Sequence, residues 1–176
     1  MKDGSILLFP AGPDPVGQVI KDITGSPYAH VAICVGGLIF DDTVWEQPGR
    51  LLPVSGVRVT EQANAASLGT FIVRDLLVPW IPLEVEKALQ VAITQVNLRR
   101  RYNIALLLFD AVIYPTRGFW KKLGWAPFEH ARDHVCSTFD GLVVRAAGRD
   151  PWPGVQTQEL VPGDFATNAA WVNASS

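Results

Sequence analysis

Cysteine is scarce in this chain: two in 176 residues, Cys34 and Cys136. Two cysteines make no disulfide framework, and both stand among apolar neighbours, as expected in a reducing compartment. Charge is scarce as well. Only 18% of residues are Asp, Glu, Lys or Arg, and the formal net charge is -2. No basic field exists to gather nucleic acid or anionic lipid. Long apolar runs are missing too. The longest, Ile104 to Tyr114, is interrupted by Asp110 and falls short of the roughly 20 residues a membrane span needs. Ile6 to Phe9, stopped by Pro10, is too short for a signal-peptide core. The expectation is therefore synthesis in the cytoplasm without membrane insertion, a picture that a virion-associated protein would also give.

What the chain has is apolar residues, 48% of the total, which excludes intrinsic disorder. A chain of this length buries about 70% of its unfolded surface as one domain. No repeat or long linker divides it, so a single domain over 1–176 is expected.

The first half reads as strands. Gly4 to Phe9 is a short buried strand. Val16, Val19, Ile20 and Ile23 have helical spacing and end at Gly25. His30 to Val35 and Leu38 to Trp45 flank Gly36-Gly37, a strong hairpin signal. Val57 to Thr60 and Thr70 to Arg74 supply two more strands. The second half turns helical. Pro82 opens a segment with Val85, Leu89, Ala92 and Val96 at helix spacing, ending in Arg99-Arg100-Arg101, which reads as a solvated cap complementing the helix dipole. Tyr102 to Tyr114 is expected to be a buried helix, 115–127 an aromatic-rich loop, Cys136 to Ala147 a third helix closed by Gly148, and the Pro-rich tail a surface wrap. The fold class is α+β, a small antiparallel sheet packed against helices.

Cys136 opens an amphipathic helix whose apolar positions are Phe139, Leu142, Val143 and Ala146. Free N–H groups and the positive end of a helix dipole favour thiolate over thiol at such a position. The alternative is a small buried hydrophobe. A nucleophilic cysteine needs a base, and three histidines are available. If Gly36-Gly37 is a two-residue turn, His30 faces Thr43 and Ala32 faces Asp41. Asp41 then lies diagonally beside His30 on one sheet face, and Asp42 points the other way. One extra turn residue would exchange the two, so both stay candidates for orienting the imidazole. His130, His134 and Cys136 could share a zinc ion. The other reading of the two histidines is that they shape the loop entering the helix, and no metal or cofactor is expected.

Gly4-Ser5-Ile6-Leu7-Leu8-Phe9, Thr24-Gly25-Ser26-Pro27-Tyr28-Ala29-His30-Val31-Ala32-Ile33 and Cys136-Ser137-Thr138-Phe139-Asp140-Gly141-Leu142-Val143 resemble, in this order, the motifs of circularly permuted NlpC/P60 (papain-like) cysteine hydrolases. Pro162-Gly163-Asp164-Phe165 resembles a Pro-x-Asp-Leu element that follows them. Thr138 stands where that group has an acidic residue, and Gly4-Ser5 where it has Gly-Asp. The resemblance implies a permuted papain-like fold, Cys136 as nucleophile and His30 as general base. It also implies a third polar residue at Asp41 or Asp42, and Tyr28 as a pocket or oxyanion residue. The implied activity is that of a thiol protease or amidase acting through a thioester on peptidoglycan peptides, hence cell wall degradation. An acyl-lipid substrate and a non-catalytic role in a larger assembly such as a phage tail are the alternatives. Trp120, Trp125, Phe119 and Phe128 could wall the substrate or simply pack.

Overall fold

The computed structural model describes residues 1–13, 15–45, 54–98 and 135–174. The expected helix from Tyr102, the aromatic loop, Arg99 to Arg101, His130 and His134 lie outside them. The described part is α+β. A six-stranded antiparallel sheet, with helices against it, is built from β1 (Ile6–Pro10), β2 (Tyr28–Val35), β3 (Leu38–Trp45), β4 (Val54–Glu61), β5 (Ile72–Leu76) and β6 (Trp171–Asn173) in the order β4-β3-β2-β1-β5-β6. Among the described residues four helices accompany it: α1 (Pro15–Thr24), α2 (Pro82–Asn97), α3 (Cys136–Ala146) and α4 (Pro162–Thr167).

Alternation along the strands sends successive side chains to opposite faces. Ile6, Leu8, Val31, Ile33, Val35 and Phe40 join Phe139 and Val143 of α3 and Ala88 and Ala92 of α2 in the main core. Leu7, Ala32, Cys34 and Ile39 form a smaller cluster with Ala65, which belongs to the 3-10 segment Gln62–Leu68. Ala88 and Ala92 lie one turn apart and are fully buried, so α2 presents small side chains where it meets α3. At one end of that packing, Arg149 donates to Glu84 through Nε at 2.6 Å and Nη2 at 2.9 Å.

The β2–β3 hairpin has the register that a two-residue turn dictates, with Val35 opposite Leu38 and Ile33 opposite Phe40. Gly36 and Gly37 both have positive φ, 61° and 73°, the conformation that makes a tight hairpin turn and suits glycine. Between β1 and β2, Phe9 pairs with His30 but Pro10 pairs with Tyr28. One extra β2 residue is thus accommodated as a bulge beside His30, a device that re-aims side chains.

The tail does not wrap the surface as expected. Trp152, Leu160, Phe165 and Trp171 are core residues. The Trp152 and Trp171 rings stack at 5.4 Å, and Trp152 meets Phe165 edge-on at 4.5 Å. The Trp171 indole donates to the Gly4 carbonyl at 2.9 Å, and its strand extends the sheet beside β5. Aromatic burial outweighed the local signal of the prolines, because each such ring removes more apolar area from water than any residue around it.

Candidate functional site

Cys136 is the first residue of α3. Val135 before it is extended (φ -112°, ψ 163°) and offers no side-chain cap, and the first helical bond is donated by Phe139 to the Val135 carbonyl at 2.9 Å. Helix geometry gives the N–H groups ahead of Phe139 no acceptor within the helix. The helix is anchored below this end: Ser137 Oγ donates to the Leu160 carbonyl at 2.5 Å, and the Phe139 ring packs on Phe40 of β3.

The segment carrying His30 is held by its neighbours α1 and α4. Gly25 ends α1 with φ 66°, Ser26 Oγ accepts from the Tyr28 N–H at 3.1 Å, and Gly163 of α4 packs directly over Ser26. A Cβ on Gly163 would lie 2.9 Å from the Ser26 Cβ, so that close approach needs glycine. α4 starts there through a reciprocal cap. Asp164 accepts from the Val161 N–H with its carboxylate at 2.9 Å and donates its own N–H to the Val161 carbonyl at 2.9 Å. The Pro-Gly-Asp-Phe stretch is therefore a helix start that clamps the entry to β2.

His30 Nε2 meets Asp41 Oδ1 at 2.5 Å. Of the two carboxylates left open by the sequence, Asp41 is the one that the imidazole bonds, as the two-residue turn requires. Asp41 is 1% exposed, and its second oxygen accepts from Arg58 Nε at 3.1 Å and from Arg58 Nη2. Arg58 comes from β4, where it is the register partner of Asp41. The Cys136 side chain is close enough to the imidazole to act on its protonation. Three elements thus bring Cys136, His30 and Asp41 into one row, and a fourth adds Arg58. The Phe9 ring lies 5.1 Å from the imidazole and 5.6 Å from Phe71, forming an aromatic shelf beside it.

The electrostatics of the row follow from these contacts. Burial alone would lower the His30 pKa, but the Cys136 charge and the Asp41 bond overcome it and hold the imidazole well above its ordinary value. Burial would likewise raise Asp41, yet the bonds from His30 and Arg58 hold its carboxyl below the usual range. A buried carboxylate between two donors thus holds an imidazole of raised proton affinity beside a sulfur at a helix start.

Asp42 is buried on β3, opposite Val57, and its charge acts on Asp140 of α3. Tyr28, expected at the pocket or oxyanion, packs against the main core that also contains Cys136. Among the described residues no cluster of three or more His, Cys, Asp and Glu could hold a metal, and the zinc reading of His130 and His134 falls outside them. Two site residues escaped the sequence reading. Arg58 was readable as a strand cation but not as the partner of Asp41, because β3–β4 pairing carries no local signal. Asp140 was readable as the residue one helical turn after Cys136.

No family model matches the chain, and no curated protein matches it.

Proposed function

We propose that this chain is a cysteine hydrolase of permuted papain-like (NlpC/P60) architecture that cleaves an amide bond through a thioester, with peptidoglycan peptides as the substrate class. The observation that carries the reading is the row Cys136–His30–Asp41, with the nucleophile at a helix start and the His30–Asp41 bond at 2.5 Å. The order of the motifs along the chain adds the family and, with it, the substrate class.

In the proposed reaction the Cys136 thiolate attacks the carbonyl carbon, and the electron pair of the C=O bond moves to oxygen. N–H groups at the start of α3 stabilise that oxyanion, a donor of this kind being worth about 3 kcal/mol. The His30 imidazolium gives its proton to the leaving nitrogen as the C–N bond breaks, leaving a thioester and a free amine. Neutral His30 then takes a proton from water, the hydroxide adds to the thioester, and collapse releases the acid and regenerates the thiolate–imidazolium pair. Asp41 remains ionised throughout and fixes the imidazole tautomer, and Arg58 holds Asp41. Every step balances with these side chains and water.

The Phe9–Phe71 shelf beside the imidazole favours a second reading of the same site, with an acyl-lipid ester as substrate. The test is acyl-enzyme capture. The chain is incubated with cell-wall stem peptides or with short-chain acyl lipids, quenched in acid, and the mass of the Cys136 peptide is measured. A peptide-derived adduct, absent in Cys136→Ala, supports amide cleavage. An acyl-chain adduct supports the second reading, and no adduct from either class counts against hydrolysis.

A further inference from the structure

Asp140 lies one helical turn beyond Cys136 on α3, and residues at that spacing share a helix face. It is 0% exposed, and among the described residues neither side-chain oxygen has a hydrogen-bond partner. A buried carboxyl with no partner is destabilising wherever it stands, and a packed Asn or Leu would carry no ionisable group into that core. The charges that act on it are Cys136 from its own helix, His30 from β2, and Asp41 and Asp42 from β3. From the other elements against α3, Glu84 of α2 is paired with Arg149, and Glu159 of the 3-10 turn Thr157–Glu159 accepts from the Gln156 N–H. Arg145, in the last turn of α3, is bound to Asp150.

Two of the neighbouring groups are the proposed nucleophile and base, and the catalytic steps above leave Asp140 unused. Within the hydrolase reading, on which this rests, we propose that Asp140 is a positioning residue coupled to the Cys136–His30 pair through one shared charge balance, so that negative charge gained at either place disfavours it at the other. Arg58 and His30 balance Asp41 and a Cys136 thiolate, Asp42 already adds a further negative charge, and an ionised Asp140 would add another. Burial and then the Cys136 charge hold the Asp140 proton on. In the other direction, a proton lost from Asp140 pulls Cys136 back towards the thiol and tightens the proton on His30, which sets an alkaline limit on the site. Such coupling is reciprocal by linkage.

The test uses the full chain in a Cys34→Ser background with 13C-labelled aspartate. The Asp140 side-chain carboxyl resonance, assigned by its loss in Asp140→Asn, is titrated from pH 4 to 9. It is titrated again after Cys136 is capped with iodoacetamide, and in Cys136→Ser. Removing the thiolate should lower the Asp140 midpoint by about one pH unit, tenfold in proton affinity. A midpoint unchanged in both forms, or a carboxyl protonated to pH 9 in all of them, overturns the proposal, because burial alone would then hold the proton. The hydrolase reading is judged separately, by whether His30→Ala slows Cys136 capping. Fast His30-dependent capping with an indifferent Asp140 removes the coupling and leaves the hydrolase.

Discussion

Cys34 and Cys136 are each 1% exposed and each free, and both stand in apolar clusters. Cys34 is the next-to-last residue of β2, with its thiol donating to Gln62 Oε1 at 3.6 Å. Burial, then the nearby Asp3 charge, push that thiol up to about 11. Cys136 lies at a helix start beside His30, whose imidazole, despite its burial, the Cys136 charge and the Asp41 bond hold well above its ordinary pKa. Equal burial therefore accompanies different surroundings. What separates the two sulfurs is the direction of the nearest dipoles and the sign of the nearest charge, not access to water.

The comparison breaks most sharply by removing the cation. His30→Ala is expected to slow alkylation of Cys136 at pH 6.5 by about 10²- to 10³-fold, with the Cys34 rate unchanged, followed by mass mapping of each cysteine. Next comes Asp41→Asn, which keeps the shape but takes the charge that orients the imidazole. It should slow Cys136 labelling by about 10- to 100-fold and, by leaving Arg58 without its buried anion, cost about 3 kcal/mol in urea unfolding.

Asp140→Asn acts on stability in the other direction. A carboxyl whose folded pKa is raised favours folding fully only below its unfolded value, about 3.9, and that support is lost as pH rises through the folded value. The variant should therefore gain about 1–3 kcal/mol over wild type at neutral pH, with the gap closing below about pH 4; thermal melts across pH check this. His30 follows the same rule for a raised group, so its support is fully present below about 6.5 and fades as pH climbs through its folded value. Asp41, held low, contributes above its unfolded value and loses that contribution as pH falls through the folded one. The smallest effect belongs to Cys34. Gln62→Ala removes a neutral hydrogen bond worth about 0.5–1.5 kcal/mol, so Cys34 labelling should rise by no more than about tenfold.

Much of this difference was legible in residues close together in the chain. Gly36-Gly37 between two β-prone runs announced a two-residue turn, and that turn placed Asp41 rather than Asp42 beside His30. Cys136 ahead of Phe139 and Val143, with Gly148 beyond, announced a helix start. Both signals are local, and local geometry decided them. The rest depended on contacts between distant segments. The place of β1 between β2 and β5, the pairing that sets Arg58 against Asp41, and the burial of Trp152, Phe165 and Trp171 all follow from which distant surfaces fit together. The prolines around Trp152 suggested a surface tail, but the three rings had more to gain from one another and from the sheet.

The most direct test needs only the wild-type chain, with both cysteines in one molecule. Limiting iodoacetamide is added at pH 6.5, the reaction is quenched at intervals, and the two cysteine peptides are quantified by mass spectrometry. A thiolate–imidazolium pair at Cys136 predicts labelling there about a hundredfold or more ahead of Cys34. Equal rates, or Cys34 labelled first, would contradict it and leave Cys136 a buried packing residue.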